Sequence, residues 1–240
     1  MPPPNILIVY AGHDADGATA TLAALIAQGA ATRHAAVATV KRAEDATTAD
    51  VLAADAVVLG SGVYNGDVEP AMLVFLDETI EVAGGHAVDL HTKVGGAFCT
   101  SASYVTGAQP TLNTMIRQLM TLGAAIVGSG SWHASQGVCG MVVAGVPPKT
   151  WDWAPGQPHL LEDAQAFGAR IADVASFYSG ALATATGQPA APGGQIVCSS
   201  GARGRAGSGD NTAVIVLLCV GFAALLAAVL AVGLSPRRQW

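Results

Sequence analysis

The sequence predicts a doubly wound α/β domain on a five-stranded parallel sheet, and three observations carry that prediction. Short apolar runs such as Ile6, Leu7, Ile8, Val9 and Ala56, Val57, Val58, Leu59 show no polar alternation, as expected of strands buried on both faces. Segments with apolar residues at helical spacing separate them, and this alternation is the mark of parallel strands joined by crossover helices. The third observation is local. The run ending at Leu59 stops at Gly60, Ser61 and Gly62, passes a polar turn at Tyr64, Asn65, Gly66 and Asp67, and restarts at Pro70 with Met72, Phe75, Leu76 and Ile80 on one helical face. That is a strand, a glycine-bearing loop at its carboxyl end and a covering helix. Open α/β sheets bind ligands in the crevice beyond such strand ends, so the same stretch marks the expected site.

In chain order, residues 5–11 form the first strand. Residues 17–28 form a helix with Leu22, Leu25 and Ile26 inward, stopped by Gly29. Residues 34–40 are a weakly alternating second strand, residues 56–60 the third, and residues 70–82 its helix. Residues 93–101 are the fourth strand, whose two glycines imply close packing. Leu112, Met115, Ile116 and Leu119 follow helical spacing. Residues 124–127 make the fifth strand, and a long loop leads to a last helix over 160–178, with Glu162 and Asp163 in its first turn where the dipole favours them. The expected organisation is a domain over residues 1–180, a flexible linker rich in Ala, Gly, Ser, Thr and Pro over 181–211, a transmembrane anchor over 212–234 and a short basic tail over 235–240.

A chain of 240 residues is long enough for one such domain and something extra. Residues 1–180 hold seven Lys/Arg against sixteen Asp/Glu, a net −9, while residues 181–240 hold four Arg and one Asp, a net +3. An acidic domain lacks the clustered cations that neutralise phosphates, so nucleic acid is not an expected partner. The four cysteines, Cys99, Cys139, Cys198 and Cys219, form no CxxC pair and the six histidines are scattered, so neither a disulfide framework nor a metal site is expected. The start, MPPPNILIVY, lacks the basic and apolar regions of a signal peptide. Residues 213–234 are all apolar or Gly, no charge lies between Asp210 and Arg237, and Arg237, Arg238 and Trp240 follow. As a helix this stretch is about 33 Å long, against a hydrocarbon core of about 30 Å. It reads as a single carboxyl-terminal membrane anchor, leaving the large domain in the cytosol on a mitochondrial or ER membrane, on a tether of r.m.s. reach about 30 Å.

The loops after strands one, three and four are expected to meet at one end of the sheet. In the second of them, Gly60-Ser61-Gly62-Val63-Tyr64-Asn65-Gly66-Asp67, followed by Phe75-Leu76-Asp77, resembles the flavodoxin-like NAD(P)H:quinone oxidoreductase family, whose usual string is close to G-[ST]-P-x-[YR]-x-G-[ND] and then F-L-D. Gly62 stands where that family usually has proline. The resemblance extends over residues 5–180 and is most specific over 57–78. It implies a flavodoxin-like fold, FMN as cofactor, NAD(P)H as co-substrate, a quinone as acceptor and a homo-oligomer. By the same likeness Ser61, Gly62, Val63, Tyr64, Asn65 and Gly66 cradle the flavin ring.

The stretch from Cys99 to Gly107 resembles the family's Ser/Thr/Gly-rich loop on the other side of the ring. Thr100, Ser101, Ala102, Tyr104 and Gly107 are its candidates, Tyr104 by stacking; the family's G-G-Q-E-like end is here Gly107-Ala108-Gln109. The first loop departs most. The family's phosphate pattern, S-x-[TY]-G-[NH], uses hydroxyls and helix amino-terminal N–H groups. Here Asp14-Ala15-Asp16-Gly17-Ala18-Thr19 keeps Gly17 and puts two carboxylates in place of the hydroxyls. Asp16, Gly17, Ala18 and Thr19 are the matching positions. A like-charge pair about 5 Å apart costs about 1 kcal/mol at the dielectric of water and about 3 kcal/mol at an effective value of about 20, so each Asp that faces the phosphate is expected to weaken FMN binding by about one to two decades, with loss of FMN as the alternative. Outward-turned carboxylates, a protonated His13, or hydroxyls of Thr19 and Thr21 would relieve the conflict, and Asp14 or Asp16 as a plain helix N-cap is the bland alternative.

Trp132, His133, Trp151 and Trp153 lie between the fifth strand and the last helix, a region that helps form the substrate pocket in the resembled family. Aromatics there would stack a quinone, or simply pack the loop onto the domain. His133 is a candidate proton donor; no other side chain is assigned a catalytic part, because the flavin carries the chemistry. Two functions follow. One is a membrane-anchored, FMN-dependent NAD(P)H:quinone oxidoreductase, its anchor raising the effective concentration of lipid-soluble quinones. The other is a degenerate flavodoxin-like domain without flavin, an accessory or structural subunit of a membrane protein complex.

Overall fold

The apolar runs of the sequence become the central strands of a sheet whose two faces are both covered. The computed structural model describes residues 2–14, 16–80, 88–102, 107–130, 137–144, 151–154 and 157–187. The elements are β1 (Asn5–Ala11), α1 (Ala18–Ala31), β2 (Val37–Arg42), α2 (Thr48–Ala53), β3 (Ala56–Tyr64), β4 (Asp67–Val68), α3 (Pro70–Val74, continued by a π-helical stretch Phe75–Ile80), β5 (Val94–Ser101), α4 (Ala108–Thr121), β6 (Ala125–Ile126), β7 (Val138–Ala144), β8 (Trp151–Trp153) and α5 (Leu160–Gly187).

The strand order is β2-β1-β3-β5-β7-β8, with β4 on β3 and β6 on β5. β1 lies between β2 and β3 and is parallel to both, in register from Ile6–Ala56 to Ala11–Ser61 on the β3 side. The chain steps from β1 outward to β2 and then back across to β3, so the direction of winding reverses between β1 and β3. This is the switch point at which doubly wound sheets open a crevice. One face is covered by a core that includes Leu7, Val9, Leu59, Met72, Phe75 and Met115. The other is covered by α1 and α5, through Leu22, Ile26, Phe167 and Ile171 packed on Ile8 and Phe98. Gly96 admits this packing, since a methyl there would stand 2.8 Å from the Phe167 ring, and Gly95 makes room on the first face for Leu119 and Ile126.

Several expectations are corrected. Gly29 does not stop the first helix, which runs on to Ala31. Its hydrogen takes the place of a side chain against the Gln165 backbone of α5, and Gly168 does the same against the Ile26 backbone. The glycine pair is a helix-crossing contact. The fifth strand, expected at 124–127, is split. β6 pairs only with Val94 and Gly95, and β7 takes over the same sheet position beside Phe98 to Ser101. Gly128 and Gly130, the latter with φ of +77°, interrupt it. The region read as a long loop therefore contains β7 and the antiparallel β8. Beyond the expected helix end at 178, α5 continues to Gly187, because alternating alanines propagate a helix already nucleated. The short α2 was not expected, although Thr47 and Asp50 form a capping box at its start. Lys93 closes its other end, Nζ donating to the carbonyls of Leu52 (2.7 Å) and Ala54 (2.5 Å).

Among the described residues no helix is long and apolar enough to cross a membrane. The stretch read as an anchor (212–234), the tail (235–240) and the linker beyond residue 187 lie outside the described residues.

The crossing of α1 and α5 is directly testable. Gly29→Ala and Gly168→Ala each improve intrinsic helix propensity by about 1 kcal/mol. The added methyl meets backbone, which cannot rotate away, so each is expected to lower stability in urea titration by about 1–3 kcal/mol. An unchanged or raised midpoint would contradict the crossing.

Candidate functional site

The loops after β1, β3 and β5 meet at the carboxyl ends of the central strands, as the register Ala11–Ser61 and Gly62–Thr100 requires. The first is a tight turn, with the Gly17 N–H donating to the Asp14 carbonyl at 3.1 Å. Gly17 is the N-cap of α1 and no side chain caps the helix. Asp14 and Asp16 are exposed, and the capping alternative is therefore excluded. The first N–H groups of α1, from Ala18 onward, have no acceptor within the helix and form a donor site of positive potential.

Thr19 and Thr100, candidates from different loops, are brought together. Their hydroxyl oxygens are 2.7 Å apart and both residues are buried. Gly12 gives Thr19 its place, since a methyl there would stand 3.1 Å from the Thr19 Cβ. Each hydroxyl keeps a further hydrogen-bonding capacity, but the pair is first of all a rivet between the β1 and β5 loops.

The second loop is a β-hairpin. β3 continues to Tyr64, turns through Asn65 (φ +48°) and Gly66 (φ +88°), and returns as β4, with Val63 opposite Val68 and Tyr64 opposite Asp67. Asn-Gly at positive φ is the preferred chemistry of such a tight turn. Tyr64 is half exposed at the tip. Ser61 is fully buried and its hydroxyl is committed to the loop, donating to the Gly62 carbonyl (2.7 Å) and accepting from the Glu69 N–H (2.8 Å). It is a brace, and only its backbone is left for a ligand role. Gly107 starts α4 with φ of +86°; a methyl there would overlap Val63 and stand 2.7 Å from the Gly66 Cα. The hairpin and the β5 loop are thus interlocked. Thr100 and Ser101 are buried and Ala102 is exposed. Tyr104, Trp132 and His133 lie outside the described residues. Trp153 packs on the domain: a methyl on Gly140 would stand 2.7 Å from its ring.

The residue that sequence reasoning missed is Glu69. Its Oε1 lies 3.1 Å from where a Cβ of residue 62 would be, so Gly62 is what admits it. Burial raises its carboxyl pKa; His13 opposes that shift and Glu44 adds to it. The available signal was the coincidence of a glycine at the family's proline position with an acid ahead of Pro70. The site therefore combines the Val63–Gly66 hairpin, locked against Gly107, with an amide-bearing helix terminus. Around that terminus stand Asp14 and Asp16. The helix end offers an anion its donors and its repulsion together. Among the described residues no group of three His, Cys, Asp or Glu is placed to hold a metal ion.

A family model described as a flavodoxin domain matches residues 7–119. A protein of Paraburkholderia phymatum named NAD(P)H dehydrogenase (quinone) is 38% identical over 111 residues, which are 45% of this chain and 53% of that protein. A protein of the same name from Rhodopseudomonas palustris is 30% identical over 165 residues, 60% of this chain and 79% of that protein. The chain spans about half the length of the first curated relatives it matches. Among solved structures, a flavodoxin, WrbA-like protein from Agrobacterium tumefaciens superposes with a TM-score of 0.53 at 25% identity, over 73% of this chain and 99% of that one.

The Thr19–Thr100 rivet predicts a measurable coupling. Thr19→Val or Thr100→Val alone leaves one buried hydroxyl without its partner, at a cost of about 1–3 kcal/mol. The double variant is expected to lose less than the two singles together, by about 1 kcal/mol in denaturant titration. Strict additivity would show that the hydroxyls are not bonded.

Proposed function

Because the chain belongs to the flavodoxin-like family that includes proteins named NAD(P)H dehydrogenase (quinone), we propose that it is an FMN-dependent NAD(P)H:quinone oxidoreductase held at a membrane. The observation that supports this best is the meeting of three loops at the switch point, on a chain that shares 30% identity across 79% of such a relative. FMN, when bound, would supply the chemistry of hydride transfer between NAD(P)H and a quinone. The chain's own residues hold and orient. The first amides of α1, at Ala18 and Thr19, receive the phosphate. The hairpin Val63 to Gly66 and the interlocked Gly107 form the walls of the ring cleft, and the Thr19–Thr100 bond keeps the two ends of the site at a fixed separation. Tyr104 is proposed to stack on the flavin and Trp132 and His133 to lie on the quinone side, with residues 212–234 as the anchor of a cytosolic domain on a mitochondrial or ER membrane, in a homo-oligomer.

A second reading has its own observation. Asp14 and Asp16 are exposed at the helix terminus and cap nothing. On that reading the domain has lost flavin and serves as an accessory subunit of a membrane complex. One preparation of the full chain separates the two. Under the first reading it stays with membranes on alkaline extraction, is yellow or quenches FMN fluorescence on titration, and reduces a quinone with NAD(P)H. Asp14→Ser with Asp16→Ser is expected to tighten FMN by about ten- to a hundredfold. A chain that takes up no flavin even with both substitutions excludes the oxidoreductase, and release from membranes by alkali excludes the anchor.

Glu69 sets a pH dependence. Its pKa is raised in the folded chain, so the folded state holds a proton that the unfolded state has released. Stability is therefore expected to fall as pH rises from the ordinary glutamate value through the raised one. FMN affinity falls over the same window, because the ionised carboxylate repels an anion. Glu69→Gln is expected to flatten both: the ratio of its FMN affinity to that of wild type stays near unity at low pH and climbs with pH. A ratio independent of pH would remove Glu69 from the site.

A further inference from the structure

Cys99 of β5 and Cys139 of β7 are far apart in the sequence and directly opposite one another in the sheet. Neighbouring strands are about 4.7–4.9 Å apart, within the window of about 4.4–6.8 Å between α-carbons that a disulfide spans. Cys99 belongs to an apolar cluster against which Cys139 packs, and both thiols are free. Cys99 is fully buried, and its S–H is also within reach of the Ala108 carbonyl at 3.7 Å. Cys139 is only partly buried. The neighbouring Cys99 thiol lowers the pKa of Cys139, while that interaction and burial raise the pKa of Cys99. The roles are unequal: Cys139 is the less buried thiol and the more readily ionised, and Cys99 is the thiol held beside it.

We propose that Cys99 and Cys139 are a redox pair that closes to a cross-strand disulfide when the protein meets a hydroperoxide. The Cys139 thiolate attacks the terminal peroxide oxygen; the O–O bond breaks, the alkoxide leaves and takes a proton from water, and Cys139 becomes a sulfenic acid. The Cys99 sulfur then attacks the Cys139 sulfur. The S–O bond breaks, the hydroxyl departs with the Cys99 proton as water, and the S–S bond forms. Two thiols are oxidised by two electrons and the peroxide is reduced to an alcohol and water. The pair stands independently of flavin binding, yet it adjoins the crevice. Closing it removes the S–H donor from Ala108, the residue after Gly107, which is locked against Val63 and Gly66.

The test uses the full chain with Cys198→Ser and Cys219→Ser, treated under native conditions with hydrogen peroxide. Both remaining thiols are expected to disappear together, with a mass loss of about 2 Da, one Cys99–Cys139 peptide pair in non-reducing digests, and recovery with dithiothreitol. With Cys99→Ser added, oxidation is expected to stop at a Cys139 sulfenic acid trapped by dimedone. With Cys139→Ser added, Cys99 is expected to stay reduced. Peptide mapping of the wild-type chain carries the same test should a variant fold poorly. Two thiols still titratable after peroxide, over-oxidised Cys139 beside a free Cys99, or bridges only between chains would each overturn the proposal.

Discussion

The site depends on the parallel ladder between β1 and β3. Six residue pairs from Ile6–Ala56 to Ala11–Ser61 keep the two strands side by side until the point where their loops leave the sheet. Both strands are buried on both faces, so no polar side chain competes with the ladder, and a slip of one residue would exchange the inward sets of Leu7 and Ile8. The direction of winding reverses at this pair. The loop from Gly12 and the loop from Gly62 consequently leave the sheet beside each other, and β5 ends one strand further on. Every contact of the crevice, from the Thr19–Thr100 bond to the contact of Gly107 with Gly66, inherits its position from that ladder.

The electrostatics of the crevice are at odds with its shape. The fold places an uncapped helix terminus where an anion is stabilised by amides and dipole. The sequence then surrounds it with Asp14 and Asp16, and Gly62 opens room for the carboxyl of Glu69. A cleft built in this way discriminates by charge and responds to pH. Cys99 stands next to Thr100 on β5 and Cys139 opposite it on β7, so the proposed thiol pair adjoins the Thr19–Thr100 bond.

Much of this was legible because strand burial and helix amphipathicity leave periodic traces. β1 was readable to the residue, and the inward faces of α3 and α4, through Met72, Phe75, Leu76, Leu112, Met115 and Leu119, were readable from spacing alone. The Asn65-Gly66 turn announced itself by composition. The misreadings share one cause. Gly29 looks like a helix stop because local signals cannot report a neighbouring helix; Val138 to Ala144 looks like part of a loop because the glycines before it hide its return to the sheet; and Ser61 looks like a ligand residue because its partners, the Gly62 carbonyl and the Glu69 N–H, become apparent only in the folded hairpin.

By itself, then, the sequence determined the α/β class, the inward faces, the crevice loops and the excess of carboxylates near one of them, since all of these are properties of neighbouring residues. Tertiary structure alone decided which hydroxyls are committed to each other, that Glu69 enters the space left by Gly62, that Gly29 and Gly168 are a crossing point, and that two cysteines without a motif stand opposite one another. These are contacts between residues distant in the chain, and their energies depend on distance and burial, which no local pattern encodes.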